Sequence, residues 1–193
     1  MILSVSRRTD IPAFYADWFF NRIKEGFLYV RNPMNIHQVS KINLSPSVID
    51  CIVFWSKNPK PMLDRLDELK DYMYYFQFTI NPYDIKLEEG VPTKSGIIDT
   101  FKELSNKIGP ERVIWRYDPI ILTDTLTMEY HVKYFEELAK RLGKSRSHIT
   151  NILGLLRLPK EVQEMVANSQ ISMGHARVLS KLEDDEKIID LYW

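Results

Sequence analysis

The sequence predicts an α/β fold: a partial (β/α)-barrel-like parallel sheet, followed by a small all-α helix-turn-helix domain. Short apolar, β-rich segments alternate with amphipathic helical patterns over residues 1–134, which is typical of a largely parallel sheet or barrel. From residue 135 onward no strand pattern remains, and a cluster of Lys, Arg, Ser and His accompanies short helices. We therefore expect an incomplete barrel-like domain over 1–134 and a helix-turn-helix domain over 135–193.

Composition limits the classes of protein that fit. The chain has 26 Lys+Arg and 26 Asp+Glu, so its net charge is zero and any surface for nucleic acid must be local. Its single cysteine, Cys51, excludes a disulfide framework and a cysteine-based metal cluster within these residues. With no signal-like segment and no apolar run of about 18 residues, we expect a cytoplasmic protein without a membrane partner.

Five apolar segments are predicted as strands: Ile2–Val5, 27–30, 49–55, 74–80 and 113–117. Three segments with apolar residues along one helical stripe are predicted as helices: 12–24, 61–69 and 97–108. Four or five such βα units leave the edges of a parallel sheet open. Because open edges invite pairing, we expect the helices from Met128 onward to cover one edge, or the chain to self-associate.

Polar residues followed by proline end most of these strands, since proline lacks an amide donor and disfavours helix in its predecessor. In a parallel fold the carboxyl ends of the strands share one face, where ligands bind. The predicted ligand face consists of Arg7, Arg8, Asp10, Lys57, Asn58, Arg116 and Asp118. Its arginines suit a small anionic ligand such as a phosphate or carboxylate. The alternative is that Arg116–Asp118 and Arg8–Asp10 are structural ion pairs.

Four motifs in this part occur in the order SVSRRTDIPAF, VRNPMN, FWSKNP and VIWRYDP. Over residues 1–142 the chain resembles domain-of-unknown-function family 1848, a bacterial group. The resemblance implies a βα-barrel-like fold and a C-terminal cysteine cluster like the iron–sulfur site of radical S-adenosylmethionine enzymes. Because no cysteine follows Cys51, we expect no cofactor and no metal here. A full barrel needs about 250 residues, so we expect little or no catalysis.

Residues 135–160 have the spacing of a helix-turn-helix. Leu138 and Leu142 form one apolar stripe, and Gly143 can take the left-handed conformation that ends the first helix. A second stripe consists of Ile149, Ile152, Leu153 and Leu156. From residue 140 to 160 the sequence contains no Asp or Glu and these basic residues: Lys140, Arg141, Lys144, Arg146, Arg157 and Lys160. The alternative to a DNA-binding unit is a helical hairpin with a solvated basic face.

The motifs LGKSRSHITN, LLRLP, EVQ and ISMGHARVL closely resemble the central DNA-binding domain of ParB-type chromosome-partitioning proteins and their relatives Noc and KorB. This resemblance covers about residues 136–182 and implies a recognition helix over 145–151, with segment 172–177 nearby. The first helix is expected to extend from Met128. The predicted DNA-binding residues are Lys144, Ser145, Arg146, Ser147, His148, Asn151, Arg157, His175 and Arg177.

The two resemblances meet at a shared helix, which suggests a fusion. The first hypothesis is a DNA-binding protein whose larger domain is an incomplete barrel. The competing hypothesis is an enzyme-class protein with an anionic ligand at the strand ends, in which the tail is a structural cap. The partitioning family's nucleotide-binding and dimerisation domains have no counterpart among these residues, so nucleotide-dependent clamping is not expected.

Overall fold

The computed structural model of the protein describes residues 1–6, 8–143, 158–168 and 170–171. The chain divides into two compact units, Met1–Ile121 and Leu122–Trp193. We call them the first unit and the second unit, and describe each by itself.

The first unit is an α/β structure, as predicted. Its elements in chain order are β1 (Ile2–Val5), α1 (Ile11–Phe14), α2 (Ala16–Glu25), β2 (Phe27–Asn32), β3 (Asn35–Asn43), β4 (Cys51–Ser56), a 3-10 helix (Lys60–Leu69), β5 (Tyr74–Thr79), α3 (Lys94–Ile108), a short 3-10 turn (Pro110–Arg112) and β6 (Val113–Arg116). Four strands form a sheet in the order β1-β4-β5-β6, and all of its pairs are parallel. Because sheet order follows chain order, each connection joins neighbouring strands.

The segment 27–30 was wrongly predicted to belong to the parallel series. It is part of β2, which pairs antiparallel with β3 in a separate two-stranded sheet, from Phe27 opposite Asn43 to Asn32 opposite Asn35. The sequence did not predict β3 because eight of its nine residues are exposed, so it lacks the apolar alternation that a half-buried strand shows.

Aromatic side chains form the centre of the first unit's core. Phe54 on β4 stacks on Phe76 of β5 with 4.6 Å between ring centroids, and Phe19 of α2 meets Phe54 edge-on at 5.2 Å. Phe78 of β5 contacts Phe101 of α3 at 5.5 Å. The helical stripe of α3 is buried as predicted, through Ile97, Ile98, Phe101, Leu104 and Ile108. The α3 helix thus covers the sheet with the face that the sequence assigned to it. The single stripe predicted over 12–24 was wrong in part, because Tyr15 interrupts the helix between α1 and α2: Phe19 is buried, whereas Phe14 and Trp18 are 64% and 44% exposed.

The described part of the second unit contains α4 (Met128–Arg141) and α5 (Lys160–Ala167). The α4 helix begins at Met128, as predicted, and Thr127 caps it by accepting a hydrogen bond from the backbone N–H of Tyr130 at 3.2 Å. Gly143 follows the helix with a φ of +73°, the left-handed conformation that glycine adopts without strain. The predicted domain boundary between residues 134 and 135 falls inside α4, whereas the two compact units divide after Ile121.

Among the described residues, no helix combines the length and the apolar character needed to cross a membrane.

Candidate functional site

The polar residues at the carboxyl edge of the parallel sheet form the candidate site of the first unit. The register pairs Val5 with Phe54, Ser56 with Phe78 and Thr79 with Arg116, so the residues that follow these strands leave the sheet at the same edge. Arg8, Asp10, Lys57, Asn58, Arg116 and Asp118 are at or beyond these strand ends. Arg7 lies outside the described residues.

Asp10 connects the ends of β1 and β4. One carboxylate oxygen, Oδ1, accepts a hydrogen bond from the backbone N–H of Ala13 at 3.1 Å and caps α1. The other, Oδ2, accepts from the backbone N–H of Lys57 at 2.7 Å. Both carboxylate oxygens therefore satisfy backbone donors, which is the role of a capping residue.

Asn58 performs a similar task at the next connection. Its backbone N–H donates to Ser56 Oγ at 3.0 Å, and its Oδ1 accepts from the backbone N–H of Lys60 at 3.4 Å. The side chain therefore helps the chain turn from β4 into the 3-10 helix.

A buried carboxylate, Glu88, lies at the centre of this edge. Its side chain is 4% exposed, and it binds Lys57 Nζ at 2.6 Å through Oε1 and Lys94 Nζ at 2.7 Å through Oε2. Asn81 Nδ2 also donates to Oε1 at 3.1 Å. Burial alone raises the pKa of Glu88, but the hydrogen bonds and charges of the two lysines outweigh it and hold the pKa below its usual value.

Sequence reasoning missed Glu88. It lies in the loop between β5 and α3, and 31 residues separate it from Lys57. A lone acidic residue in a polar loop gives no periodic signal, so the sequence pattern did not indicate its role.

Asn81 links the ends of β5 and β6. Its Nδ2 donates to the carbonyl of Asp118 at 3.0 Å, while its Oδ1 accepts from the backbone N–H of Asp118 at 3.0 Å. Tyr83 reinforces the same connection, since its hydroxyl donates to the carbonyl of Pro119 at 2.6 Å and accepts from the N–H of Ile121 at 2.9 Å. These bonds fix the segment that follows β6.

Arg116 and Asp118 form the ion pair that was the structural alternative to a ligand role, with 2.8 Å between Nη2 and Oδ2. The Arg116 guanidinium also lies over the Trp55 ring, 4.5 Å from its centroid. Arg8 does not pair with Asp10, because its Nη2 donates to the carbonyl of Arg31 at 2.8 Å. The structural ion pair therefore forms at one of the two expected places.

Two cavities adjoin this edge. The first, of about 410 Å³, lies beside β1 and is lined by Leu3, Ser4, Val5, Ser6, Arg8, Thr9, Ile11, Trp18, Phe19, Leu28, Tyr29, Val30, Arg31 and Ile42. The second, of about 380 Å³, is lined by Tyr83, Asp84, Ile85, Glu88, Val91, Pro92, Thr93 and Lys94. Arg8 is the member of the predicted ligand face that lines one of them. Asp10, Lys57, Asn58, Arg116 and Asp118 lie outside both linings.

The predicted DNA-binding residues lie outside the described residues: Lys144, Ser145, Arg146, Ser147, His148, Asn151, Arg157, His175 and Arg177. The described residues immediately before them are the end of α4 and its turn. Leu138, Ala139 and Leu142 are buried there, while Lys140 and Arg141 are exposed. The apolar stripe predicted for the first helix of the motif is therefore the buried face of α4.

The residues present do not fit an iron–sulfur cluster. Cys51 is the one cysteine of the sequence, and it opens β4 opposite Ile2, at the edge of the sheet away from the polar residues. Among the described residues, no three His, Cys, Asp or Glu side chains are grouped so that they could hold a metal ion.

Parts of the chain are similar to proteins named for sporulation, chromosome partitioning and nucleoid occlusion. Stage 0 sporulation protein J of Bacillus subtilis is 53% identical over 53 residues, which are 28% of this chain and 19% of that protein. The probable chromosome-partitioning protein ParB of Rickettsia prowazekii is 43% identical over 81 residues, 40% of this chain and 28% of that protein. The nucleoid occlusion protein of Listeria innocua is 54% identical over 56 residues, 29% of this chain and 20% of that protein.

The chain therefore spans less than a third of the length of each of these relatives. No solved structure matches it. The model of the family described as domain of unknown function DUF1848 matches residues 2–188, which extends beyond residue 142, where the resemblance drawn from sequence motifs ended. Because the match covers nearly all of its residues, the chain belongs to the DUF1848 family of domains of unknown function.

Proposed function

We propose that this protein binds DNA through residues 136–182, which act as a helix-turn-helix of the ParB type. The observation that carries the proposal is the similarity, at 43–54% identity, to proteins of chromosome partitioning and nucleoid occlusion. Those relatives are matched over segments of 53–81 residues, which are long enough to contain a helix-turn-helix. The motifs that resemble the ParB-type DNA-binding domain lie within residues 136–182.

Charge supports the same segment. The chain as a whole is neutral, yet residues 140–160 contain Lys and Arg without a single Asp or Glu. Such a local excess attracts the phosphate backbone, which dominates affinity for DNA. Lys140 and Arg141 at the end of α4 are exposed, so they are available to phosphates next to the proposed recognition helix.

The end of α4 supports the motif geometrically. A helix-turn-helix needs a small residue where its helices cross and a sharp turn between them. Ala139 is buried on α4, and Gly143 has the left-handed φ that ends the helix one residue after Leu142. We propose that residues 145–151 follow as the recognition helix, with Arg146, His148 and Asn151 directed at base edges.

Fusion of two families at a shared helix explains why one chain resembles both. In this proposal the sheet of the first unit is part of a (β/α) barrel.

The test is fluorescence anisotropy of the full chain with a duplex selected from a random library and with an unselected duplex, across a salt series. Arg146→Ala should weaken binding to the selected duplex by about 1–3 kcal/mol, the usual value of one good base contact. Lys144→Ala should weaken binding to both duplexes alike and flatten the salt slope by about one unit, as loss of a phosphate contact does.

Lys102→Ala is the matched control, since Lys102 is exposed on α3 in the first unit. It should leave both affinities unchanged. If Arg146→Ala and Lys144→Ala also bind like the unaltered protein while circular dichroism shows them folded, the recognition helix is assigned wrongly, and the tail is a helical cap.

A further inference from the structure

We propose that the cavity beside β1 binds a small aromatic anion, meaning a flat ring that carries a carboxylate or phosphate group. The cavity has a volume of about 410 Å³ and lies between the end of β1, the α2 helix and the β2–β3 hairpin. Cavities of roughly 300–1,000 Å³ are typical of small-molecule sites. The inference concerns the first unit and does not depend on DNA binding.

The lining of the cavity carries positive charge without a compensating acid. Arg8 and Arg31 are its charged members, and no Asp or Glu belongs to it. Among the described residues, neither guanidinium pairs with a carboxylate. A hydrogen bond of 2.8 Å from Arg8 Nη2 to the carbonyl of Arg31 holds the Arg8 guanidinium against the hairpin. Arginine presents a planar fork of donors that matches a carboxylate or phosphate.

The rest of the lining suits a flat apolar body. Trp18 of α2 is 44% exposed and Tyr29 of β2 is 61% exposed, so both rings present faces that a ligand can cover. Val5, Phe19 and Leu28 are buried and supply an apolar floor. Aromatic faces gain from stacking on a second ring in addition to the area that they bury.

A strained residue lies in the same lining. Ser6 has a φ of +81°, an uncommon conformation for a residue other than glycine, and its Oγ accepts a hydrogen bond from the backbone N–H of Ile11 at 3.1 Å. Such strain persists where the surrounding structure enforces it, and it is concentrated at ligand sites. Here it turns the chain from β1 toward α1 and places Arg8 at the cavity.

Among the described members of the predicted ligand face, Arg8 alone lines this cavity, at the β1 end of the sheet. Asp10 caps α1, Lys57 binds Glu88, and Arg116 pairs with Asp118, so these charges are already used by the fold. Arg31 was not among the predicted ligand residues, and its strand β2 pairs antiparallel with β3 and does not belong to the parallel sheet. The antiparallel hairpin is what brings it to Arg8.

Isothermal titration calorimetry of the full chain tests the site with 1-naphthyl phosphate and 1-naphthylacetate. Inorganic phosphate supplies the charge without the ring, and 1-naphthalenemethanol supplies the ring without the charge. At least one naphthyl anion should bind at least tenfold more tightly than either partial probe, and the one that binds names the anionic group. Equal or weaker binding of both naphthyl anions would overturn the proposal.

Arg8→Gln and Arg31→Gln should each weaken binding of the naphthyl anion about tenfold, the value expected for one charge-assisted hydrogen bond. Both side chains are exposed, so at least one variant is expected to fold and carry the test. Lys102→Gln on α3 lies outside the lining and should bind like the unaltered protein. If the folded arginine variants bind unchanged, the anion lies elsewhere and the assignment fails.

Discussion

The carboxyl edge of the sheet in the first unit and the basic segment 140–160 in the second differ in how their charges are balanced. At the sheet edge, Glu88 holds Lys57 and Lys94, and Asp118 holds Arg116. The segment 140–160 has Lys and Arg but no acidic residue within it. The edge thus supplies its own counterions, whereas the segment contains none. For a charged residue at a strand end, an ion pair within the fold therefore argues for a structural role rather than for ligand binding.

The same contrast separates Arg8 and Arg31 from the rest of the edge. Both line a cavity that has no Asp or Glu in its lining. In this they differ from Lys57, Lys94 and Arg116 at the same edge, which pair with acidic residues. Three kinds of substitution test this comparison. Ranked by the expected loss of folding stability, they remove core packing, a paired charge and a helix cap.

Phe54→Ala should have the largest effect. Phe54 is 0% exposed and contacts both Phe76 and Phe19, so the substitution removes buried area and leaves a cavity at the centre of the sheet. We expect the free energy of unfolding of the first unit to fall by about 3–5 kcal/mol. Chemical denaturation followed by circular dichroism measures this change.

Phe14→Ala is the matched control for that substitution. Phe14 ends α1 and is 64% exposed, so the same chemical change should alter stability by no more than about 0.5 kcal/mol. A similar loss in the two variants would show that the aromatic stack is not the centre of the core.

Glu88→Gln should have the next largest effect. The substitution removes the charge that binds Lys57 and Lys94 while keeping the shape of the side chain. Because both lysines are partly exposed and regain water, we expect a loss of about 1.5–3 kcal/mol at neutral pH, the range for hydrogen bonds to charged groups. This is less than the full cost of an uncompensated buried charge. Glu89→Gln, at an exposed position next to it, should be neutral.

The pH dependence of folding stability shows whether the charge of Glu88 stabilises or destabilises the first unit. Its pKa is lowered from 4.5 in the folded protein, so the ionised carboxylate stabilises the fold above that value, and the stabilisation is lost as pH falls through the lower folded pKa. The stability difference between the unaltered protein and Glu88→Gln should therefore narrow when denaturation is repeated below about pH 4.5. A difference that stays constant would mean that the charge of Glu88 does not stabilise the fold.

Much of the first unit was predictable because its signals are local. The apolar runs of β4 and β5 and the helical stripe of α3 follow from periodicity, and the residues at the parallel strand ends follow from topology. Glu88 and β3 were not predictable from such signals, since one is a loop residue that acts over a long sequence distance and the other is an exposed strand. Self-association through the sheet edges stays a prediction, which sedimentation velocity would test.

In the second unit, the predictions that the structure bears out are those that depend on local rules. The α4 helix starts at Met128 and Gly143 takes the expected left-handed conformation, because capping and glycine geometry are local rules. The roles of Arg146 and its neighbours depend on a partner that the sequence does not contain, so they remain proposals until DNA binding is measured.

Helix capping gives the smallest expected effect and compares the two units directly. Thr127 caps α4 by accepting from Tyr130 N–H at 3.2 Å, and Thr93 caps α3 by accepting from Gly96 N–H at 3.4 Å. Thr127→Ala and Thr93→Ala should each cost about 1 kcal/mol. If the two units open independently, hydrogen exchange should accelerate in α4 alone for Thr127→Ala and in α3 alone for Thr93→Ala.

Thr127→Ala should also weaken DNA binding slightly, because α4 would be the first helix of the motif and loss of its N-cap lowers the stability of that helix. Thr93→Ala should leave DNA binding unchanged, since it alters a helix of the first unit. Equal acceleration of exchange in both helices by either substitution would mean that the units open together. In that case a change in the sheet would reach the segment proposed to bind DNA, and the contrast in charge balance would not correspond to two independent parts of the molecule.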